Sequence, residues 1–421
     1  MVGKPTYRLS HAYYPCTAEQ DHVLTPNLGK DLKRLRTAAK LTQDAAAKRL
    51  GVSRPTLTQW ELNTHRPSAE NLLKLDDLYG ARGELRKLAG GIPSGEQGQQ
   101  LYVADVFRDV ADALVEQLVT DEDGLPLGWS RDLPDTTPST LNTAYAIRTL
   151  QLLDDARVDL HRLARAFRDP ADGYGYRREN NQPRPEVTAV VWATLARLGH
   201  LPDPDARLRD LKAAVDEDEL AKDRSFILSV VLESALAIRP DSELAQVMTR
   251  TLLHSRRNYS GLKLWTMNAA APVARTTPSL AHTARATAIL RIARSTTEDH
   301  TEVDDAIGMA VEWMSDLHKR DVGAMETLDR SDSTSDISIH HFTSAWVIRS
   351  LAGTKSVSGA RIQSALDILW DSYSAQDKLW TWRDDGSLPS WMTLDAVSAL
   401  RALAEASLAT PLSSHIDEAH S

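Results

Sequence analysis

Apolar residues recur every three or four positions from residue 28 to about residue 408, which is the spacing of one face of an α-helix. Ser, Thr and Pro at the starts of these segments and Gly at several of their ends are typical helix boundaries. No stretch approaches the ~18 uninterrupted apolar residues of a membrane-spanning helix. The pattern predicts an all-α protein.

Composition and periodicity divide the chain into five segments. Residues 1–27 have little periodicity and are interpreted as an N-terminal arm, and residues 28–90 form a compact helical domain. The Gly-, Ser- and Gln-rich run 91–100 is typical of a linker. Residues 101–408 continue helix after helix, and residues 409–421 form a polar tail.

The net charge of −9 combines two parts of opposite sign. Residues 28–90 hold 13 Lys and Arg against 7 Asp and Glu, whereas residues 91–421 hold 34 against 49. This asymmetry is typical of a nucleic-acid-binding domain joined to a different domain. The single cysteine, Cys16, excludes a disulfide framework and indicates a reducing compartment, so we expect a cytoplasmic, nucleoid-associated protein.

The basic segment contains two short helices joined by a tight turn. Thr42 can cap a helix that ends at Gly51, and Ser53 can cap a second helix that has Pro55 in its first turn. A helix-turn-helix of this kind places its second helix in the major groove of DNA.

The start of the second helix carries side chains that suit base edges. Arg54 can bond guanine O6 and N7, and Gln59 can bond adenine. The residues expected to contact bases or phosphates are Gln43, Ser53, Arg54, Pro55, Thr56, Gln59, Asn63 and Thr64.

The run L-T-Q-x-x-x-A-x-x-L-G-V-S-x-x-T-L-T-x-W-E at 41–61 resembles the DNA-binding domain of phage-repressor, or XRE-type, transcription regulators. The resemblance implies a buried, structural ion pair between Arg36 and Glu61. Asn63 stands where the family usually has Gly, but Asn tolerates the left-handed conformation. A helical module that uses the same motif for protein contact is the alternative.

The large acidic segment is repetitive. A short motif of small and apolar residues followed by Arg recurs at spacings of 42 to 58 residues and ends at Arg148, Arg197, Arg239, Arg291, Arg349 and Arg401. A second set of amphipathic helices is predicted at about 102–119, 157–168, 203–215, 242–256, 301–318 and 358–374. The pattern predicts six helical hairpins.

Six hairpins can form an open solenoid or close into a ring, and the short length without polar capping repeats favours closure. This organisation resembles the α/α toroid of terpene cyclases and protein prenyltransferases. The run S-A-Q-x-x-L-W-x-W at 374–382 resembles the Gln–Trp repeats of squalene-type cyclases. The resemblance implies an (α/α)6 toroid with a central cavity.

The toroid lacks the catalytic motifs of those families. It has neither D-x-D-D nor D-D-x-x-D, and the acidic run 302–305 opens a helix, where carboxylates are common surface residues. It has no cysteine, and His340 and His341 point ~100° apart on a helix, so they poorly share one metal. We expect no catalytic residue, cofactor or metal, and a toroid that is not an enzyme.

Aromatic residues in and beside the loops between hairpins are candidates for a ligand pocket: Trp129, Tyr174, Tyr176, Trp265, Trp380, Trp382 and Trp391. The cations that follow them, Arg131, Arg177, Arg178 and Arg383, can meet an anionic group or simply solvate the loops. A hydrophobic small molecule such as an isoprenoid, or a protein, is the expected ligand, although the aromatics also suit a plain core.

Together these features predict a sequence-specific DNA-binding transcription regulator whose toroid binds an effector or a partner. A single small module binds DNA weakly, so we expect a homodimer on a palindromic operator. Two alternatives stay open. One is a toroid enzyme of terpenoid-type chemistry that carries a DNA-binding module, and the other is an adaptor or defence protein whose toroid binds a macromolecule.

Overall fold

The computed structural model describes residues 28–62, 67, 69–81, 103–131, 133, 137–165, 167, 172–175, 182–269, 277–297, 300–316, 325–329, 337–354, 359–382 and 386–409. The chain divides into two compact units, Met1–Ala89 and Gly90–Ser421. Within the described ranges, every helix is too short or too polar to cross a membrane.

The smaller unit is a four-helix domain in its described part. Its helices are α1 (Leu28–Ala38), α2 (Gln43–Leu50), α3 (Arg54–Glu61) and α4 (Ala69–Tyr79). One apolar cluster joins them, because Leu32 of α1, Leu57 and Trp60 of α3, and Leu72 and Leu75 of α4 are all buried together. The helical periodicity of the sequence is thus the periodicity of this core.

Local side-chain chemistry determines where α2 and α3 begin and end. Thr42 Oγ1 accepts a hydrogen bond from the Ala45 backbone N–H at 3.1 Å, which caps α2. Gly51 ends that helix with a φ of +72°, a conformation that costs glycine little. Ser53 Oγ then accepts a hydrogen bond from the Thr56 N–H at 3.2 Å and caps α3.

The larger unit is built almost entirely from helices. They are α5 (Val103–Glu116), α6 (Thr140–Leu152), α7 (Leu160–Arg165), α8 (Pro185–Arg197), α9 (Pro204–Glu217), α10 (Glu219–Asp223), α11 (Ser225–Ile238), α12 (Glu243–His254), α13 (Leu280–Ala293), α14 (Thr301–Met314), α15 (Thr343–Leu351), α16 (Gly359–Asp371) and α17 (Ser390–Ala409), with a 3₁₀ turn at Arg294–Thr296.

Alternate helices of this unit close into a ring. The inner helices α6, α8, α11, α13, α15 and α17 each pack against the next one, and α17 packs back against α6. On the outside, α5 packs against α6, α9 against α8, α12 against α11, α14 against α13, and α16 against α15. The predicted (α/α)6 toroid is confirmed.

The inner and outer helices differ in burial as their sequences predict. In α11, 11 of 14 residues are buried, whereas only three of 14 are buried in the outer helix α9. A helix that is apolar around most of its circumference needs neighbours on every side, and one with a single apolar stripe needs them on one side only.

Short hairpins connect four outer helices to the inner helices that follow them in the described part of the ring. Each hairpin is a two-stranded antiparallel sheet: β1 (Val119–Thr120) with β2 (Pro126–Gly128), β3 (Arg257–Tyr259) with β4 (Leu262–Leu264), β5 (Met325–Leu328) with β6 (Ile337–His340), and β7 (Tyr373–Ser374) with β8 (Leu379–Trp380). The sequence did not predict these strands, because two to four residues offer too few alternating positions to be recognised.

Candidate functional site

Helix α3 turns one face to the core and the other to solvent. Leu57 and Trp60 are buried, whereas Arg54, Pro55 and Gln59 are exposed. The exposed face begins at the N-terminal end of the helix, which is the end that approaches base edges in helix-turn-helix proteins.

Glu61 anchors the C-terminal end of α3. Arg36 donates from Nε to Glu61 Oε1 at 2.5 Å and from Nη2 to Oε2 at 3.1 Å, and it also donates from Nη1 to the Leu41 carbonyl at 2.7 Å. The side chains of Arg36 and Glu61 are only 12% and 3% exposed, and their hydrogen bond raises the pKa of Arg36. The buried ion pair implied by the resemblance is therefore present.

Several predicted DNA-contacting residues already have partners inside the domain. Gln43 Nε2 donates to Glu61 Oε2 at 2.8 Å, and the hydroxyls of Ser53 and Thr56 lie 2.8 Å apart at the start of α3. Arg54 lies 3.6 Å from Asp44, but both side chains are mostly exposed, so that contact is weak. Asn63 and Thr64 lie outside the described residues.

The centre of the toroid contains a small cavity lined by all six inner helices. It encloses about 20 Å³, close to the space that one water molecule needs. Its lining residues are Tyr145, Arg148, Val190, Val230, Glu233, Arg285, Arg349, Leu394, Asp395 and Ser398. This lining is rich in charge, in contrast to the apolar cavity that an isoprenoid ligand implies.

Glu233 is the ionised acid of this centre. Arg349 Nη2 lies 3.0 Å from its Oε1, and Arg148 Nη2 lies 3.7 Å from the same oxygen. Burial alone would raise the pKa of Glu233, but Arg349, Arg148 and Arg285 outweigh it and lower that pKa to about 2.

Asp395 faces the same cavity, but its pKa is raised and not lowered. Burial raises the pKa of Asp395 to about 6, although Arg285 and Arg349 act against that rise. Trp346 Nε1 donates to Asp395 Oδ2 at 2.9 Å. The centre thus holds one carboxyl group that is ionised at all ordinary pH values and one that titrates near neutrality.

Arg285 has unused hydrogen-bonding capacity. Its guanidinium lies over the ring of Trp346 at 4.1 Å and over Phe226 at 4.9 Å. Its Nε and Nη1 atoms are buried and have no hydrogen-bond partner among the described residues. Buried donors are normally paired, so these atoms point to a missing acceptor.

A second polar cluster lies where β5 and β6 meet α13. Glu326 Oε1 lies 3.1 Å from His282 Nε2 and 2.9 Å from His341 Nε2, and all three residues are buried. Burial lowers the pKa of His341 to about 4, against the effect of Glu326. Sequence reasoning treated His341 only beside its neighbour His340, because His282 and Glu326 are distant in the chain.

Those predicted pocket aromatics that the structure describes do not line the central cavity. Trp129, Trp265 and Trp380 are completely buried, and their indole N–H groups donate to the carbonyls of Leu114, Leu252 and Leu369 at 2.7, 2.8 and 3.0 Å. Each of these carbonyls lies two residues before the end of an outer helix, where intrahelical partners are lacking. These three Trp residues are therefore repeat-specific structural contacts.

The remaining pocket candidates fall into two groups. Tyr174 is buried and its carbonyl accepts a hydrogen bond from the Arg184 N–H at 2.8 Å at the start of α8. Trp382 and Trp391 are half-buried with ring centroids 5.9 Å apart, and His340 lies 4.5 Å from Trp382. The other candidates, Tyr176, Arg177, Arg178 and Arg383, lie outside the described residues.

Sequence reasoning missed the charged residues of the ring centre. Glu233 offered a signal, because it is the only charged residue in the 14-residue apolar helix α11. Arg285 and Asp395 offered less, since their helices also carry several other polar residues. Arg148 and Arg349 were recognised as repeat positions but were not assigned to a site.

Comparison with known proteins supports the two-part description. The helix-turn-helix family HTH_3 matches residues 32–84. A solved structure similar to this chain is a family 76 glycoside hydrolase from a bovine Bacteroides thetaiotaomicron strain, with 9% identity and a TM-score of 0.45. The similarity covers 73% of this chain and 78% of that one. No match to a curated protein was found.

The comparison with the glycoside hydrolase bears on two expectations for the toroid, its lack of enzymatic activity and its resemblance to terpene cyclases. The prediction that the toroid is not an enzyme is contradicted, because the similar solved structure is that of an enzyme, and we withdraw it. The comparison fits an α/α toroid but gives no preference for terpene cyclases or prenyltransferases.

Proposed function

We propose that this protein is a sequence-specific DNA-binding regulator that acts at the nucleoid. The observation that carries the proposal is the recognition helix, whose exposed face begins with Arg54 and whose other end is fixed by the Arg36–Glu61 ion pair. A rigid helix with an exposed Arg at its N-terminal end suits the major groove. The match of residues 32–84 to a helix-turn-helix family supports the same function.

We divide the predicted contacts by the chemistry of their side chains. Arg54 and Gln59 are the proposed base readers. Thr56, whose side chain is shorter, is a third proposed contact at the same end of the helix. Ser53 and Gln43 already form hydrogen bonds within the domain. We assign them to phosphate contacts, which they can make while they keep those hydrogen bonds. Pro55 would contribute only apolar contact, and Asn63 and Thr64 are proposed as phosphate contacts.

The experiment is selection of bound duplexes from a random pool by the full-length protein, followed by affinity measurements. Replacement Arg54→Ala should cost about 1–3 kcal/mol at one base pair and relax the preference there. Arg239→Ala, an exposed change in the toroid, is the matched control and should leave operator affinity unchanged. A wild-type protein that enriches no sequence would overturn the proposal. A palindromic consensus would support the proposed homodimer.

For the toroid we propose binding of a small anionic effector at the ring centre. Three guanidinium groups, from Arg148, Arg285 and Arg349, face the carboxyl groups of Glu233 and Asp395, so the cations outnumber the acids even when both carboxyl groups are ionised. The buried, unpartnered donors of Arg285, Nε and Nη1, can each donate a charge-assisted hydrogen bond to an oxygen of a carboxylate or phosphate group. The cavity has about the space of one water molecule, so the ring must widen to admit a carboxylate or phosphate group.

Thermal unfolding in the presence of a panel of small carboxylates and phosphates tests this part. At least one anion should raise the melting temperature of the wild type and change its affinity for the selected operator. The Arg285→Met variant should lose both effects, whereas Arg239→Met should keep them. If no anion distinguishes the wild type from Arg285→Met, the effector site is wrong while the DNA-binding proposal stands.

A second candidate function for the toroid is acid–base catalysis at the same centre. The observation that favours it is the pair of carboxyl groups around one cavity, since the pKa of Asp395 is raised to about 6 and that of Glu233 is lowered to about 2. Such a pair can supply a general acid and a general base. Incubation of a metabolite extract with wild type and Asp395→Asn, followed by mass spectrometry, would reveal turnover that only the wild type performs.

A further inference from the structure

Three side chains from separate parts of the toroid meet at one buried point. His282 lies in the first turn of α13, Glu326 lies in β5, and His341 directly follows β6. They are 2%, 2% and 5% exposed, respectively. Both imidazole Nε2 atoms are directed at the same carboxylate oxygen of Glu326, at 3.1 and 2.9 Å.

We propose that His282, Glu326 and His341 bind a divalent transition-metal ion, and that the ion is Zn²⁺. Their three ligand atoms lie within 4.8 Å of one another. A tetrahedral zinc with bonds of about 2.0–2.1 Å places its ligand atoms about 3.3 Å apart. The two His–Glu separations, 3.1 and 2.9 Å, need to open by a few tenths of an ångström, and the two imidazole nitrogens, which lie within 4.8 Å of each other, need to settle at the same spacing. Two His and one carboxylate form a ligand set that zinc accepts.

The carboxylate itself carries the independent evidence. Glu326 Oε1 receives both imidazoles, whereas Oε2 is buried and has no hydrogen-bond partner in the described part of the chain. Arg224 Nη1 approaches Oε2 only to 3.8 Å, which is beyond hydrogen-bonding distance. A buried carboxylate that leaves one oxygen without a hydrogen bond is uncommon, and a cation that Glu326 binds through both of its oxygens would account for it.

The surroundings orient the ligands as metal sites require. Ser279 caps α13 and its Oγ lies 2.8 Å from His282 Nδ1, which leaves Nε2 free to face Glu326. A ligating histidine is usually held in this way through its other nitrogen. The ring of Phe226 lies 5.2 Å from His341 and gives the site an apolar wall. No fourth His, Cys, Asp or Glu ligand joins the group among the described residues, so the fourth position would belong to water or a ligand.

The site borders the ring centre. His282 and Arg285 lie three residues apart on α13 and therefore on neighbouring positions of one face. Phe226 contacts both His341 and Arg285, at 5.2 and 4.9 Å. A metal here would be well placed to draw an anionic group toward the unpartnered donors of Arg285, but its own binding does not depend on the proposed effector.

The test is the metal content of the full-length protein, purified without a metal-affinity tag. Elemental analysis should find about one equivalent of zinc per chain. After treatment with a chelator, titration with Zn²⁺ against a chromophoric competitor should restore one site, and Co²⁺ should give the visible absorption of a tetrahedral complex. Wild-type protein that takes up neither Zn²⁺ nor Co²⁺ stoichiometrically would overturn the proposal.

Variants of the three side chains test whether the metal binds at this site. His341→Ala and Glu326→Gln should each lower zinc affinity by at least 100-fold, and Glu326→Gln keeps the size of the side chain if His341→Ala fails to fold. His340→Ala removes the adjacent histidine, which contacts Trp382 instead, and should retain full zinc content. Zinc binding that survives Glu326→Gln and His341→Ala would show that the metal lies elsewhere and refute the assignment.

Discussion

Arg349 of α15 donates a hydrogen bond to Glu233 of α11 across the ring centre, with 3.0 Å between Nη2 and Oε1. Arg148 of α6 approaches the same carboxylate oxygen at 3.7 Å. One carboxylate thus links three alternate inner helices of the ring. Its side chain is 15% exposed, so the charges of this link are poorly screened by water.

Replacing Glu233 by Gln should therefore destabilise the toroid. The change removes the carboxylate that pairs with the buried Arg148 and Arg349, and breaking a buried pair in this way costs about 3–5 kcal/mol. Chemical unfolding at pH 7 measures the loss. Glu217→Gln, at an exposed position of α9, is the matched control and should change stability by less than about 0.5 kcal/mol.

The same pair predicts an acid dependence of stability. The pKa of Glu233 is lowered to about 2, below that of an unfolded glutamate at about 4.3. Its stabilising contribution is therefore complete above pH 5 and is lost as the pH falls toward 2. The difference in unfolding free energy between wild type and Glu233→Gln should shrink over this range, and a constant difference would contradict the assigned ion pair.

Asp395 should make the protein less stable as the pH rises, which is opposite to the effect of Glu233. Burial raises the pKa of Asp395 to about 6, above the unfolded value of about 3.9, so the folded state binds more protons between these values. Stability should fall by about 2–3 kcal/mol as the pH rises from 4 to above 6. Asp395→Asn, which resembles the protonated side chain, should remove this part of the pH profile. Unfolding curves at pH 4.5 and 7 for both proteins provide the comparison.

The recurring Arg of the inner helices shows what a sequence repeat predicts and what it does not. Arg291 donates to the Ser350 carbonyl at 2.7 Å, and Arg401 donates to the Leu152 carbonyl at 2.5 Å, so each satisfies the last turn of a neighbouring inner helix. Arg349 occupies the same motif position but lines the cavity instead. The spacing predicted the hairpins, whereas the role of each Arg depends on packing between helices.

The sequence predicted less of the candidate sites than of the fold. The caps of the helix-turn-helix could be predicted from local spacing, and its ion pair was implied by the resemblance to a known family. The His282–Glu326–His341 cluster joins residues 15 to 59 positions apart through a hairpin that the apolar pattern did not reveal. Periodicity reports which face of a helix is buried but does not report which residues of different helices meet.

The ion pair of the DNA-binding unit gives a further prediction. Arg36→Ala leaves Glu61 buried with Gln43 as its one remaining side-chain donor among the described residues, and it removes the bond to the Leu41 carbonyl. This should destabilise the four-helix domain by about 3–5 kcal/mol and weaken operator binding through loss of the folded module. Amide hydrogen exchange in α1 and α3 measures the local stability. Lys33→Ala, at an exposed position of α1, should leave exchange in both helices unchanged.

The buried tryptophans of the hairpins test whether these aromatics are structural. Trp265→Phe keeps an aromatic ring but removes the N–H that reaches the Leu252 carbonyl at 2.8 Å, so a buried acceptor loses its partner. The change should cost about 1–3 kcal/mol of unfolding free energy. Trp382→Phe is the matched control, because the Trp382 Nε1 has no hydrogen-bond partner among the described residues, and it should cost less. Equal losses in the two variants would mean that packing of the indole, and not its hydrogen bond, stabilises the hairpin against its outer helix.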